Sequence, residues 1–283
     1  MTNNILNAIP HQVFTRYQPW VLPVNAASTS GMTLKLTEQL QGFAPITLEE
    51  MDSVSLLNRI DTKYVIPAGK LPMILSALAE FYRILVVNGQ RFNHYRTLYF
   101  DTPQFDLFNM HINGNAERYK VRSREYVDTH LSFLEVKQKT RKERTIKQRL
   151  LTKQPLQKVT RSAEEWLEEV YPYTLHHLEP KVWNTFTRVT LVSVEHFERV
   201  TLDMDITFYN NRRCAVLNGI AVAEVKLDAR DRRSPFMAQM RQKHLQPQGF
   251  SKYCLGTTML YDHVKSNALK PKMRWLEKIS REQ

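Results

Sequence analysis

The chain lacks several features that mark common classes of protein. Its 283 residues include only two cysteines, Cys214 and Cys254, with no CxxC pair and no histidine at zinc-finger spacing. This argues against a structural zinc site and favours reduced thiols in a cytosolic protein. Only eight glycines occur, and Gly69 and Lys70 are followed by Leu71, so no loop of the Walker A type is available to hold phosphate. Any phosphate binding must therefore come from side chains.

Long apolar segments are also missing. No window approaches 18 consecutive apolar residues, and the N-terminal sequence MTNNILNAIPHQVF has neither a basic n-region nor a continuous apolar h-region. We therefore expect a soluble, cytoplasmic protein that is not secreted.

Acidic residues are too few to balance the basic ones. Forty Lys and Arg face 28 Asp and Glu, which leaves a net charge of +12 and a pI near 9.7. Hydrophobic residues at 42% and charged residues at 24% are ordinary for a globular protein, so disorder does not explain the imbalance. The excess of cations predicts an anionic partner.

Helix-start signals predict four short helices. They are expected over residues 48–58, after a Thr47 and Glu50 capping box; over 71–82, with Pro72 near the start; over 163–170, opened by Ser162 with Glu165; and over 235–243, opened by Ser234 and Pro235. Residues 1–34 show no sustained period and predict a loosely ordered arm, followed by a folded domain over 35–264 and a basic tail over 265–283.

Between the helices lie eight runs rich in Tyr, Thr, Val, Phe and Ile, which predict strands. They cover residues 59–66, 94–100, 117–127, 131–140, 143–151, 184–193, 198–208 and 220–228. Several are separated by only a few residues, which favours antiparallel neighbours. The predicted fold class is therefore α+β.

The two-residue period of a strand places the charged residues on shared faces. These faces carry Lys120, Arg122 and Arg124; Glu135, Lys137 and Lys139; Lys147 and Arg149; Arg199, Asp203 and Asp205; and Glu224, Lys226 and Asp228. The opposite faces carry Val121, Leu134, Val136, Ile146, Leu202, Ile206, Val225 and Leu227. For a single strand, the charged face would simply meet water.

Recurrence over six or so strands favours another arrangement. An eight-stranded, closed antiparallel barrel would place the apolar faces outside, under peripheral helices, and the charged faces inside a wet tunnel. Cations that face one another repel unless an anion of high charge density lies between them. A polyphosphate suits this role, and a divalent cation would reconcile the few carboxylates with the phosphates.

Nine short motifs carry a family resemblance in the family's order. They are RIDTKYVIP (59–67), LYFDTPQFDLF (98–108), RYKVRSREY (118–126), FLEVKQKT (133–140), TIKQR (145–149), FTRV (186–189), RVTLD (199–203), AEVKL (223–227) and GFSKY (249–253). Together they resemble the VTC domain, the polyphosphate polymerase domain of the vacuolar transporter chaperone complex and its stand-alone bacterial relatives. This family is part of the triphosphate tunnel metalloenzyme superfamily. The resemblance implies a tunnel that uses ATP and Mn²⁺ or Mg²⁺ to extend inorganic polyphosphate.

The resemblance also implies roles for individual residues. The implied catalytic residues are Lys63, Arg122, Arg124, Lys137, Arg188, Arg199 and Lys226. The implied substrate-binding residues are Lys147, Ser251 and Lys252, and the charged strand faces add Lys120, Lys139 and Arg149 to them. The implied metal ligand is Glu224, with Glu135 as a second acidic contributor. Lys252 is expected at a tunnel mouth. Phe186 departs from the family, because some members have there a Tyr able to hydrogen-bond a phosphate.

The implied partners are ATP and inorganic polyphosphate, with no specific nucleic acid. The SPX domain and membrane spans of the fungal proteins are not recognised in this sequence. A further candidate partner is therefore a membrane protein acting in trans, which would bring the chain to a membrane. The acceptor is an ionised terminal phosphate that needs no general base, in keeping with charged strand faces that carry none of the nine histidines.

Two alternatives stay open. The first is a tunnel-type triphosphatase acting on inorganic triphosphate, thiamine triphosphate or an RNA 5′-triphosphate, which would pass the phosphoryl group to water. The second is a sequence-independent nucleic-acid or polyanion binder, which would need exposed aromatic side chains for stacking. The tyrosines are expected mostly outside the charged faces, which disfavours the second alternative.

Overall fold

The computed structural model of the chain describes residues 31–52, 59–142, 144–172, 178–231 and 233–281. Most of the predicted arm, residues 1–30, lies outside the described residues. So do residues 53–58 of the helix predicted over 48–58.

All eight predicted strands are present in one sheet. They are β2 (Arg59–Pro67), β4 (Asn93–Asp101), β5 (Arg118–Tyr126), β6 (Leu131–Lys139), β7 (Thr145–Thr152), β8 (Glu179–Ser193), β9 (Glu198–Tyr209) and β11 (Ile220–Asp228). Three short strands join them that the sequence did not predict, namely β1 (Ala44–Ile46), β3 (Tyr82–Leu85) and β10 (Cys214–Leu217). The fold is thus an α+β fold dominated by an antiparallel sheet.

The eight long strands follow the order β2-β11-β9-β8-β4-β5-β6-β7. Neighbours along this path are antiparallel, whereas β1 and β3 pair in parallel. Within the described part of the chain β2 and β7 do not pair, so the predicted closed barrel is not observed. Most of β7 is exposed, and water can hydrogen-bond a backbone edge of this kind in place of a partner strand.

The sheet is nevertheless strongly curved. The charges of Glu224 on β11 and Lys63 on β2 both affect the pKa of Lys137 on β6, although β6 lies far from β2 and β11 in the order of the sheet. Because charges change one another's pKa appreciably only over short distances, β2, β6 and β11 must line a common interior.

The described residues include eight α-helices and two short 3-10 helices. The α-helices are α1 (Gly31–Gln41), α2 (Leu48–Asp52), α3 (Leu71–Ser76), α4 (Asp106–Ile112), α5 (Arg161–Val170), α6 (Pro235–Gln242), α7 (Lys252–Leu260) and α8 (Lys270–Ile279). Helices α2, α3, α5 and α6 were predicted, although α3 ends at Ser76, short of residue 82. None of the eight is long and apolar enough to cross a membrane.

Two of the predicted helix starts have the expected contacts. The Thr47 N–H donates to Glu50 Oε2 at 2.8 Å, and the Glu50 N–H donates to Thr47 Oγ1 at 3.3 Å. Ser234 Oγ accepts from the Met237 N–H at 3.0 Å. The prediction for Ser162 was wrong, because α5 begins at Arg161 and Ser162 lies within its first turn.

The apolar strand faces pack against the helices, as predicted. Val225, Leu202 and Leu227 join a core with side chains of α1, α3 and α6. Val121, Leu134 and Val136 join a second core with Ala163 and Leu167 of α5. Ile146 was expected in the core but is 46% exposed, because it lies on the edge strand β7.

A bulge in β9 changes which residues face inward. Asp205 adopts a left-handed conformation with φ 54°, and the register between β8 and β9 shifts beside it. The extra residue reverses the alternation, so Ile206 packs with the interior residues Phe186 and Tyr253 and not with Leu202. The expectation that Ile206 and Leu202 share the outer face was therefore wrong.

Helix α7 fills one end of the interior. Its residues Tyr253, Cys254 and Leu255 are buried against the inner faces of β2, β8, β9 and β11. A Cβ at Gly256 would lie 2.7 Å from Phe208 Cδ1, so only glycine permits this close packing. Leu276 and Ile279 of α8, within the predicted basic tail, pack on the same core. The charged part of the inner face therefore lies next to the first turn of α7.

Candidate anion-binding site

Three carboxylates on the inner face each hold two cations. Glu224 Oε1 accepts from Lys63 Nζ at 2.8 Å, and Lys226 Nζ lies 3.7 Å from its Oε2. Glu135 Oε2 accepts from Arg122 Nε at 2.7 Å and lies 2.7 Å from Arg122 Nη2, and its Oε1 is paired with Lys147. Asp203 accepts from Arg188 Nε at 2.5 Å and from Arg188 Nη2 at 2.8 Å, and it is also paired with Lys252. Each cation is thereby held in place by a carboxylate.

The three carboxylates differ in exposure. The Glu135 side chain is 1% exposed, the Asp203 side chain 5% and the Glu224 side chain 19%. Burial by itself would raise all three pKa values, but the adjacent Lys and Arg charges outweigh it and hold the pKa of each carboxyl below its usual range. All three are ionised at neutral pH.

Burial acts in the opposite direction on the lysines. It lowers the pKa of Lys120, Lys137 and Lys226 to about 8 in each case, and neighbouring cations such as Arg122 and Arg188 add to the effect. A bound anion would stabilise the protonated form and raise these pKa values again. An anion in the interior would therefore reduce the repulsion among these cations.

Two stacked aromatic rings make cation–π contacts with the cations of this cluster. Tyr95 and Phe186 stack with centroids 5.0 Å apart and planes 7° from parallel. The Arg188 guanidinium lies 4.9 Å from the Tyr95 centroid, and Lys252 Nζ lies 4.3 Å from the Phe186 centroid. Arg124 lies over both rings at 5.6 and 5.9 Å. Phe186 thus contributes a cation–π surface in the position where a tyrosine would contribute a hydroxyl.

The inner face brings most of the predicted site residues together. They are linked by ion pairs, hydrogen bonds or mutual effects on pKa, and comprise Lys63, Lys120, Arg122, Arg124, Glu135, Lys137, Lys147, Arg188, Arg199, Glu224, Lys226, Ser251 and Lys252. Lys139 and Arg149 lie at the margins. Lys139 is at the end of β6, opposite Arg118 of β5 and Thr145 of β7 in the sheet register. The Arg149 guanidinium lies 4.9 Å from the Phe133 centroid.

The expected place of Lys252 at a tunnel mouth was wrong. Ser251 is the N-cap of α7 and accepts from the Cys254 N–H, while Lys120 Nζ donates to its hydroxyl at 3.1 Å. Lys252, the next residue, is only 13% exposed and is paired with Asp203. Because α7 fills one end of the interior, its first turn aims these two side chains into the charged cluster.

Sequence reasoning missed several contributors. Asp203 was placed on a charged face but given no role, although a carboxylate among so many cations was itself a signal. Tyr95, Thr97 and Tyr99 share one face of β4, and Thr97 Oγ1 accepts from Arg124 Nε at 3.3 Å, so the two-residue period could have placed both tyrosines inside. They are exceptions to the expectation that tyrosines lie outside the charged faces. Histidines were considered only on the strand faces, so His111, which is on α4, was given no place. Burial, together with the charges of Lys120 and Arg118, lowers the pKa of His111 to about 2.

The donors fit a divalent cation that arrives with phosphates. Among the described residues no group of three or more His, Cys, Asp or Glu side chains could hold a metal ion alone. Mg²⁺ bound with substrate phosphates commonly uses only one or two protein carboxylates. Glu224, the most exposed of the three inner carboxylates, fits this role, whereas Glu135 is enclosed by Arg122 and Lys147.

The described residues form an α+β fold dominated by an antiparallel sheet, and the inner face of this sheet gathers most of the predicted basic and acidic site residues into one cluster. The chain belongs to the VTC domain family, because the model of that family matches residues 58–261. No curated protein gives a significant match to the chain.

Several solved structures show a partial likeness. A candidate adenylate cyclase from Vibrio parahaemolyticus is 17% identical, with coverage of 70% of this chain and 98% of that chain and a TM-score of 0.43. A candidate adenylyl cyclase from Hippeastrum, described as having a dominant triphosphatase activity, is 14% identical, with coverage of 72% and 97% and a TM-score of 0.44. A candidate adenylate cyclase from Bacillus halodurans is 14% identical, with coverage of 69% and 94% and a TM-score of 0.45. The family assignment rests on the sequence match alone.

Proposed function

We propose that this protein is a metal-dependent polyphosphate polymerase that transfers the γ-phosphoryl group of ATP to the end of a growing inorganic polyphosphate chain. The observation that carries the proposal is the convergence of Lys63, Arg122, Lys137, Arg188 and Lys226 on one curved inner face. Membership of the VTC family supports the same activity.

The proposed reaction needs positioning and charge neutralisation more than covalent chemistry by the protein. An oxygen of the terminal phosphate attacks the γ-phosphorus, the bond from that phosphorus to the β–γ bridging oxygen breaks, and ADP leaves. The attacking oxygen is already ionised at neutral pH, so no side chain has to remove a proton. Arg122 and Arg188 supply planar donors for phosphate oxygens, and Lys137 and Lys226 supply point charges.

Glu224 would hold Mn²⁺ or Mg²⁺ together with the phosphates. When bound, such an ion neutralises charge on the phosphoryl oxygens. Lys63 and Lys226, which hold the Glu224 carboxylate in this structure, would then be free to turn toward the phosphates.

Triphosphate hydrolysis is the second candidate. The observation in its favour is that the edges of β2 and β7 are unpaired within the described residues, and β7 is largely exposed. A water molecule that entered between these two edges and took the place of the polymer end would give free phosphate.

Nucleic-acid binding is supported less well. The aromatic residues nearest the cations are buried, with Tyr95 9%, Tyr99 4% and Phe186 3% exposed. Base stacking needs open aromatic faces, which these rings do not offer.

The test is an incubation of the purified protein with ATP and Mn²⁺ or Mg²⁺, with and without a short polyphosphate primer. ADP, free phosphate and polymer are resolved separately. The proposal expects ADP and polymer in matching amounts of phosphate. Free phosphate with no product longer than three phosphates, under every metal and primer, would transfer the assignment to the triphosphatase.

A further inference from the structure

The two ends of the interior differ in what lies next to them. Helix α7 packs on Val65, Ile220 and Val222, close to where β2 finishes and β11 begins. Because neighbouring strands of the sheet are antiparallel, β2, β4 and β6 begin and β7 and β11 finish at the other end. This second end is the one that α7 leaves clear, so a ligand that enters there does not have to displace the helix.

The inner face becomes apolar toward this second end. On β6, Phe133 takes the inner position next to Glu135, and on β7, Leu151 takes the inner position next to Arg149. Phe133 and Leu151 lie opposite each other in the sheet register, and Leu151 is 64% exposed. An apolar surface therefore borders the charged cluster at this end.

Arg149 completes a small ledge with these two residues. Its guanidinium lies 4.9 Å from the Phe133 centroid, the residue is exposed, and it makes no ion pair within the described part of the chain. Arg122 and Arg188, by contrast, are held by carboxylates. A flat guanidinium can stack on a ring of a ligand, and Leu151 adds an apolar contact beside it.

A polar group at the same end lacks a partner. Asn93 is 5% exposed, and its Oδ1 has no hydrogen-bond partner within the described residues, while its Nδ2 donates to the Gln90 carbonyl oxygen at 3.5 Å. Asn93 lies at the start of β4 and shares the inner face with Tyr95. Ionised phosphate oxygens only accept hydrogen bonds, whereas a ribose hydroxyl or a base amine can donate to this oxygen. Asn93 is thus matched to the nucleoside part of a ligand and not to its phosphates.

The ledge lies close to the charged cluster. Phe133 precedes Glu135 by two residues of strand, which span about 7 Å. Glu135 holds Arg122 and Lys147. A triphosphate bound by these cations can therefore place a group esterified to its α-phosphate on the ledge.

We propose that Phe133, Arg149 and Leu151 form a nucleoside subsite, on which the base and ribose of a nucleoside triphosphate rest while its γ-phosphate points into the interior. The inference rests on the proposed function, and it adds to it the orientation of ATP and the class of triphosphate that the site prefers. Inorganic triphosphate cannot use the ledge. Because the ledge offers a flat cation and apolar groups but no pattern of donors and acceptors, adenine and guanine should bind alike.

The test variant carries Arg149→Lys and Leu151→Ser together. The first change keeps the positive charge but removes the flat guanidinium, and the second removes an apolar contact at an exposed position, where the fold loses little. The control variant carries Arg144→Lys and Ile146→Ser, the same pair of changes at the same spacing. Arg144 is exposed just before β7, and Ile146 is 46% exposed on the outer face.

The measurement is the affinity of each protein, with Mg²⁺, for the β,γ-imido analogues of ATP and GTP and for diimidotriphosphate, an inorganic triphosphate with nitrogen in both bridges. These ligands resist cleavage, so binding is measured without turnover. We expect the test variant to bind both nucleotide analogues about tenfold more weakly, because base stacking is lost, and to bind diimidotriphosphate as before. The control variant should match the unaltered protein for every ligand, and thermal unfolding should show all three proteins folded.

Three outcomes would overturn the inference. They are an unchanged affinity of the test variant for the nucleotide analogues, an equal loss in test and control variants, and an equal loss for diimidotriphosphate, which would assign the residues to the phosphates. If the unaltered protein makes no polymer from ATP but the test variant still loses the nucleotide analogues selectively, the nucleoside subsite stands and the proposed polymerase activity fails. If the protein makes polymer and the test variant binds the analogues as before, the polymerase stands and the subsite fails.

Discussion

Strands β6 and β11 carry the same tripeptide, Glu-Val-Lys, and in both strands the Glu and Lys face the interior while the Val faces outward. Val136 and Val225 are both buried on the outer side, and Glu135 and Glu224 both hold two cations on the inner side. The two glutamates differ in exposure, with 1% for Glu135 and 19% for Glu224. The local sequence thus decides which way a side chain points, but the surrounding packing decides what that side chain can do.

The difference separates a structural carboxylate from an exchangeable one. Glu135 is enclosed by Arg122 and Lys147 and has little room for a new partner. Glu224 retains access to the interior, so phosphate or metal can compete for its position. We therefore expect substitution of Glu135 to affect mainly stability and substitution of Glu224 to affect mainly activity.

The largest effect is expected for Glu135→Gln. The change removes the negative charge between two half-buried cations, and breaking a buried pair from one side costs about 3 kcal/mol or somewhat more. Urea denaturation should show this loss in the free energy of unfolding. Glu168→Gln, at an exposed position of α5, is the control and should be close to neutral. A loss below about 0.5 kcal/mol for Glu135→Gln would contradict the structural role.

The next effect is expected for Glu224→Gln. The amide has nearly the shape of the carboxylate but is a poor ligand for a hard cation, so turnover should fall about 100-fold while the fold is retained. The rate should be measured against Mn²⁺ concentration, with circular dichroism as the check on folding. Unchanged turnover at limiting Mn²⁺ would instead make Glu224 a structural partner of Lys63 and Lys226, and the contrast with Glu135 would disappear.

Much of this architecture follows from the sequence, because the two-residue period is strong. Lys120, Arg122 and Arg124 alternate with Tyr119, Val121 and Ser123, and burial of the apolar members leaves only one orientation for the strand. The same rule placed Glu135 and Glu224 inside. The eight strands themselves were predicted from runs rich in Tyr, Thr, Val, Phe and Ile, and the four helices from helix-start signals.

The remainder depends on contacts that no local pattern encodes. The bulge at Asp205 reverses the alternation in β9, and the residue in the left-handed conformation is Asp, not the Gly that usually marks such a site. Helix α7 is buried on nearly every side, so it has no amphipathic period to reveal it. The unpaired edges of β2 and β7 depend on the curvature of the whole sheet, which also explains why Ile146 is exposed.

The smallest effect concerns the lysines of the two tripeptides, which should behave alike. The pKa of Lys137 and that of Lys226 are both lowered to about 8, mainly by burial. Long-chain polyphosphate keeps its interior phosphates ionised across this range, so changes in its binding report the protein. Each lysine that must be protonated in the complex should weaken binding by up to about tenfold between roughly pH 7 and pH 9.

Stability should change in the opposite direction. A lysine whose pKa falls on folding opposes folding while it is protonated, so this cost is present below about pH 8 and is relieved as the pH rises toward the unfolded value. Affinity should therefore fall while this contribution to stability rises. Lys137→Arg and Lys226→Arg keep the charge at every pH and should each flatten the affinity profile by a similar amount, whereas Lys158→Arg on the outer surface should leave it unchanged. A profile that only one of the two inner substitutions flattens would show that the two tripeptides differ in their lysines as well as in their glutamates.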